Sequence, residues 1–415
     1  MDTAGTIPSI TVMGGAAFSS GPMNKIIDIV SEMDKQAEVA DDWGEYTSRY
    51  QENLKSGNGE YIPSGKYYTD IKNNKSPNSV VSLTVRIGHT GVDITVGSEG
   101  DDTLTYENSS FDWVTNRVHG GGGDDVISIS STALGSQLAF GGEGNDTISI
   151  SAAMATAVGG AGDDMIAVAG YSASARGGAG DDVITVSGQT VKASGGSGDD
   201  TITVNGRGDV GPVWGGEGDD LIIVSGNVVK HVTGNQGNDT ITVSGNTVGR
   251  VDGGDGDDVI NVSTNNEFDD WTNYDHNMSG GLGYTGFENP TTIDGGQGND
   301  VINIDGKARV IHRAGDGQDV ITVSDTTEIV TFGDDWFDDV LLLDEATFSY
   351  ADGELTVTFE GRDDKMTIRA AEGEELSWEL TSDRTFMITV NKAADASVDT
   401  EASVDVEVEQ DDQAD

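Results

Sequence analysis

The sequence predicts a mainly β fold in which the chain winds as a parallel solenoid. Three observations predict it. From Gly141 to Val262 one pattern, Gly-Gly-x-Gly-[Asp/Asn]-Asp-x-[Ile/Leu]-x-[Val/Ile], returns seven times, with Asn235 once in the second place. Its copies open at Gly141, Gly159, Gly177, Gly195, Gly215, Gly234 and Gly253, at intervals of 18, 18, 18, 20, 19 and 19 residues. Each copy ends in residues that alternate polar and apolar, such as Thr201-Ile202-Thr203-Val204. A fixed period of this length marks stacked repeats, and the alternation marks a short strand with one face inward.

The elements of one repeat follow from its residues. The glycine-rich half must turn sharply and admit a neighbouring backbone, which Gly allows. The strand after it places Ile148, Ile166, Ile184, Ile202, Ile222, Ile241 and Ile260 inward. A second, weaker strand returns before the next glycines. Its inward column is Ala139, Ala157, Ala175, Ala193, Val213, Val232 and Val251. Two strands and two turns make one flattened coil.

Stacked coils lie about 4.8 Å apart. The sixth motif residue therefore recurs one above another: Asp146, Asp164, Asp182, Asp200, Asp220, Asp239 and Asp258. Outlying copies add Asp102 and Asp125 before them, and Asp300 and Asp319 after. The fifth residue varies between Asp and Asn, whereas the sixth is always Asp. Such neighbours repel by about 1 kcal/mol per pair in water and about 3–4 kcal/mol at an effective dielectric near 20. That is too much for so thin a core, so a cation is expected between coils. The donors on offer are carboxylates and the carbonyls around Gly141, Gly159, Gly177, Gly195, Gly215, Gly234, Gly253 and Gly295. Hard oxygen donors on a flexible turn suit several Ca²⁺ ions better than Mg²⁺.

This tandem motif resembles the RTX (repeats-in-toxin) calcium β-roll over roughly residues 97 to 323. The resemblance implies a right-handed parallel roll with each Ca²⁺ between successive turns, held by loop carbonyls and the sixth-position Asp. The opposite turns, such as Ser187-Gly188-Gln189, have no acidic sixth position. One row of ions is therefore expected.

Charge and composition narrow the partners. Lys plus Arg number 22 against 73 Asp plus Glu, for a net charge of −51. Nucleic acid and anionic membrane surfaces are poor partners for such a chain. There is no Cys. Calcium loops of this kind bind at roughly 10⁻⁴–10⁻³ M, so filling is expected outside the cell. Neither a secretory signal peptide nor a transmembrane run is visible. The resemblance implies type I secretion, with the export signal in the last several dozen residues.

In chain order, residues 1–78 read as a loose or lightly packed arm (1–21), then a helical cap, then a polar loop. Ile26, Val30, Met33, Ala37 and Ala40, then Trp43, Tyr46, Tyr50 and Leu54, carry the cap at helical spacing. This segment is read as covering the first coil, or as a docking element. Residues 79–327 are the roll. It is interrupted at 265–289 by a segment with Trp271, Tyr274 and Tyr284, a candidate partner-binding loop or a flap on the coil edge. Residues 328–392 read as an antiparallel β cap, and 393–415 as an acidic disordered tail.

Catalytic signatures are missing. There is no His-Glu-x-x-His, no Gly-x-Ser-x-Gly and no phosphate-binding Gly-x-x-x-x-Gly-Lys-[Ser/Thr]. The expectation is a non-enzymatic, secreted structural protein of the bacterial surface or biofilm matrix. It would assemble with itself, or with a surface or matrix polysaccharide, in external Ca²⁺. The alternative is a calcium-dependent adhesin or toxin-like binding protein.

Overall fold

The computed structural model describes residues 9–13, 81–87, 90–97, 100–109, 111–265, 291–332, 343, 346–381 and 385–392. These form a mainly β, right-handed-type parallel solenoid of about 11 turns. No helix occurs among the described residues. The helical segment expected within 23–54, the tail at 393–415 and the aromatic loop with Trp271, Tyr274 and Tyr284 lie outside them.

Two parallel ladders make the walls. One consists of the strands that follow each sixth-position Asp, from Thr103–Asn108 through Val126–Ser131 and Thr147–Ser151 to Gln318–Val323. Equivalent residues stand side by side, with Ile148 against Ile166 and Ile184 against Ile202. The other ladder holds the return strands, with Ala157 against Ala175, Ala175 against Ala193, and Ala193 against Val213. The inward Ile and Ala/Val columns face each other and are fully buried. The core is thus one side chain deep from each wall, which suits small return-strand residues.

The irregular spacing has a local cause. Where an 18-residue repeat meets the 20-residue one, the ladder shifts register twice, between Gly188 and Thr190 and between Val191 and Ala193. One extra residue enters at the far turn and the other as a bulge in the return strand, so the Ile and Val columns stay in line.

The far turns carry amides where the motif turns carry acids. Asn246 Nδ2 donates to Asn227 Oδ1 (2.8 Å) and Asn265 Nδ2 to Asn246 Oδ1 (3.3 Å). Asp209, near one such turn, pairs with Lys230 (3.2 Å).

Both ends of the described solenoid change strand direction. Val81–Ile87 and Thr90–Val96 form an antiparallel hairpin, and Thr90–Val96 opens the return ladder. Ser9–Met13 pairs in parallel with Val81–Ile87. Of the loose or lightly packed arm read for residues 1–21, this strand, whose Ile10 and Val12 alternate with polar neighbours, is paired. Beyond the last coil, Lys365–Ala370 joins the motif ladder in parallel. Thr385–Lys392 joins the return ladder antiparallel. Each belongs to an antiparallel meander or hairpin whose Leu355, Met366, Ile368 and Phe386 are buried.

Candidate metal centre

The motif turns place three glycines for two different reasons. The second and fourth adopt left-handed φ, as at Gly178 (140°) and Gly180 (119°). Asn235 takes the second place at φ 83°, the conformation Asn tolerates best among residues with a Cβ. The first glycine has no such φ; it is required for space. A Cβ on Gly195 would stand 2.0 Å from Asp200 Oδ2 and 2.7 Å from the Gly215 carbonyl oxygen of the next coil. The same crowding by the sixth-position Oδ2 recurs at Gly120, Gly141, Gly159, Gly177, Gly215, Gly234, Gly253 and Gly295.

The two acidic columns bond in opposite directions. Each sixth-position amide donates to Oδ1 of the Asp in the following coil. Asp146 N reaches Asp164 Oδ1 at 2.7 Å, and Asp182 N reaches Asp200 Oδ1 at 2.8 Å. Each fifth-position amide donates back to the preceding coil, as Asp181 N does to Asp163 Oδ1 (2.9 Å) and Asp163 N to Asn145 Oδ1 (2.8 Å). The fifth side chain is exposed and needs one carbonyl-type oxygen, which Asn also supplies. The sixth is buried and uses Oδ1 for the amide, leaving Oδ2. Asn there would put an NH₂ donor where the turn presents oxygens. That is why one column varies and the other does not.

Oδ2 is the open valence of the fold. In Asp125, Asp146, Asp164, Asp182, Asp200, Asp220, Asp239, Asp258 and Asp300 it is buried and has no hydrogen-bond partner. A buried carboxylate oxygen without a partner is strongly disfavoured. Each faces the space beside the first glycine, and at Gly120, Gly141, Gly195, Gly215, Gly234 and Gly253 a carbonyl oxygen of the next coil borders the same space. An oxygen-lined cradle of this kind fits Ca²⁺. Among the described residues no group of three or more acidic or histidine side chains is placed to hold a metal ion by itself. Each ion would therefore take one of these carboxylates, with turn carbonyls completing its oxygen shell.

The electrostatics agree with the geometry. Burial, reinforced by neighbouring carboxylates and opposed by the amide hydrogen bond, pushes the Asp125 and Asp146 carboxyls up to about 6. Asp164, Asp182, Asp200, Asp220, Asp239 and Asp258 rise to about 7 for the same reasons. Asp300 rises to about 8. Without a cation these acids take up protons well above the ordinary carboxylate range as pH falls, Asp300 first and Asp125 and Asp146 last.

The two ends of the row depart from the sequence-based set. Asp102 is half-buried, and its amide donates to Asp125 Oδ1 (2.7 Å). Asp319 is buried like the others, but its Oδ2 is taken by His312 Nδ1 (2.8 Å). Strand register sets Ile311 beside Asp294, so His312 follows where Gly295 does, and its ring is buried against Asp319. Burial works against the charged ring, yet Asp319, Asp316 and Asp364 hold its pKa above the ordinary histidine value. In the next strand the sixth column continues with buried Met366. An imidazole and a thioether therefore end the row of free carboxylate oxygens. The sequence signal was the missing first glycine in the copy ending at Asp319, which read only as a weakened repeat.

The family model for the RTX calcium-binding nonapeptide repeat (4 copies) matches residues 115–128, 134–149, 174–206, 250–266 and 286–303. These are RTX calcium-binding repeats. The matched segments include the RTX turns at Asp125, Asp146, Asp182, Asp200, Asp258 and Asp300. No curated protein matches the chain.

Three outcomes test this RTX site. Asp200→Asn with Asp220→Asn should raise the Ca²⁺ midpoint of folding, followed by circular dichroism, about tenfold or more, whereas Asp199→Asn with Asp219→Asn should leave it within about twofold. In calorimetric titration, Asp300→Asn should lose an ion that Asp319→Asn retains. The third concerns pH. These carboxyls titrate near 6–8 when folded and about 3.9 when unfolded. The ion-free fold is therefore stabilised by protonation, fully below about pH 4, and loses that stability as pH rises through the folded values. The ion-free chain should gain β signal from about pH 8.5 to about 5, while Ca²⁺ binding weakens below about pH 7 and releases protons. A Ca²⁺ midpoint that ignores pH would contradict the assignment.

Proposed function

We propose that the protein is a secreted, calcium-binding structural protein of the bacterial surface or biofilm matrix, which folds and assembles on meeting external Ca²⁺. The observation that carries this reading is the row of partnerless, buried Oδ2 atoms from Asp125 to Asp300. In cytosol, where Ca²⁺ is scarce, the stacked acids oppose the coil and leave a chain suited to export unfolded through type I machinery. Outside, millimolar Ca²⁺ meets the expected affinity range of roughly 10⁻⁴–10⁻³ M, and binding energy becomes folding energy. Proteins with RTX repeats are typically secreted, which supports the location. The terminal antiparallel strands fit a cap that hides the last coil and seeds folding from that end.

The role is structural rather than catalytic, because the described chain is almost entirely repeat and the carboxylates face turns instead of a cleft. Among the described residues no helix is long and apolar enough to cross a membrane. Circular dichroism and light scattering, with and without millimolar Ca²⁺, test the proposal. Both β signal and scattered mass should rise with Ca²⁺ and fall again with chelator. A chain that keeps its full β signal in chelator would overturn it.

A further inference from the structure

The charges of the solenoid are sorted by face. On the motif strands from Val126–Ser131 to Val259–Thr264, every outward residue is uncharged, although 23% of the chain is Asp, Glu, Lys or Arg. The surface is built from Thr, Ser, Ala and Asn with apolar side chains between them. Val126, Met165, Val183, Leu221, Ile223 and Val259 are all exposed there, Met165 to 57%. Glu107 stands before this stretch and Asp305 after it, so the neutral region has ends. Most acids of the repeats lie on the motif turns, with Asp252 and Asp294 on the return strands. Cations of the repeats, including Arg176, Lys192, Arg250 and Arg313, lie on the return strands, where Arg250 and Arg313 meet Asp252 and Asp294.

We infer that this neutral face is where a second copy of the chain docks, face to face, once Ca²⁺ has ordered the coils. The inference rests on the calcium-driven assembly proposed above and names its surface. Two arguments favour a second copy. First, a molecule with net charge −51 repels its own kind at the acidic edge, whereas here two copies approach without facing charges. Second, the size is right. Eight strands at about 4.8 Å spacing and about 16 Å long give roughly 600 Å² a side. Two such sides reach the lower end of stable interfaces, about 1,200 Å² in total. The parallel register makes the face flat and periodic, so exposed Leu221 and Ile223 of one copy can settle among Thr and Ser of the other. On the proposed reading the coils come into register near neutral pH only with Ca²⁺, which ties docking to the ion.

The test uses the full chain in millimolar Ca²⁺, with mass read by light scattering and folding by circular dichroism. Thr185→Glu with Ile223→Glu should raise the concentration for half-association about tenfold or more, because like charges would be buried opposite one another, while the Ca²⁺-induced β signal stays. Ser174→Glu with Thr247→Glu adds the same charge to the return strands and should leave association within about twofold. Equal loss in both variants would reduce the effect to net charge and overturn the inference. So would association that ignores the Thr185/Ile223 pair. A wild-type chain that folds with Ca²⁺ but stays monomeric also overturns it, including when it binds the neutral glucan dextran through this face; calcium-driven folding would still stand. A chain that does not respond to Ca²⁺ at all would instead bring down the underlying reading.

Discussion

Everything in this solenoid depends on one unfinished interaction, the second carboxylate oxygen of the sixth-position Asp. Its first oxygen holds the amide of the preceding coil, so the side chain cannot turn away into water without breaking the turn. Its second is thereby held in a buried cradle with nothing to bind. The fold forces the carboxylate inward for the sake of the turn and then leaves it with a charge it cannot neutralise alone. Protons can satisfy it, as the raised pKa values show, and so can a divalent ion. Because the acids repeat at every coil from Asp125 to Asp300, the two ladders and the row of unpartnered carboxylates stand or fall together.

That dependence explains details that a purely geometric solenoid would not need. The first glycine of the motif is kept free of a side chain because Oδ2 and a carbonyl occupy the space beside it. The opposite turns, which hold no such acid, stack amides and tolerate insertions, so the variable repeat length is absorbed there and in the return strand. At the last repeat the protein supplies its own partner for the acid. His312 takes the glycine's position in the strand and bonds Asp319, and Met366 follows. A stack that must end needs its final carboxylate satisfied from within, and these residues do it.

Much of this was legible in the sequence, and the reasons are specific. The period, the Ile and Ala/Val columns and the row of Asp are linear patterns, and parallel stacking turns linear repetition directly into spatial columns. The nine carboxylates from Asp125 to Asp300 therefore fall where spacing put them. What spacing could not give was direction. Nothing in the string says that fifth-position amides bond backward and sixth-position amides forward, yet this decides which acid is free for an ion. The bond from His312 to Asp319 was hidden for the same reason. The acid's place in the column is right, but its partner comes from a strand whose register differs from the motif count. Ser9–Met13 was missed because a short strand without turn signals looks like any polar arm.

The sorting of charge by face follows from the same constraint. Most repeat acids sit on the motif turns, where cations can meet them between coils, and those on the return strands, Asp252 and Asp294, are paired with Arg250 and Arg313. Once the acids are there, inward positions must be apolar, and only the two outer faces are left to vary. One gathered the repeat cations, some tied into pairs such as Arg313 with Asp294. The other stayed neutral from Val126 to Ser263. Solubility does not require neutrality on a chain this acidic, since added charge helps rather than harms it. A broad uncharged surface with exposed Leu, Ile and Met instead works against solubility in a monomer. Its persistence through coil after coil is understandable when something covers it, and the molecule least repelled there is another copy carrying the same face.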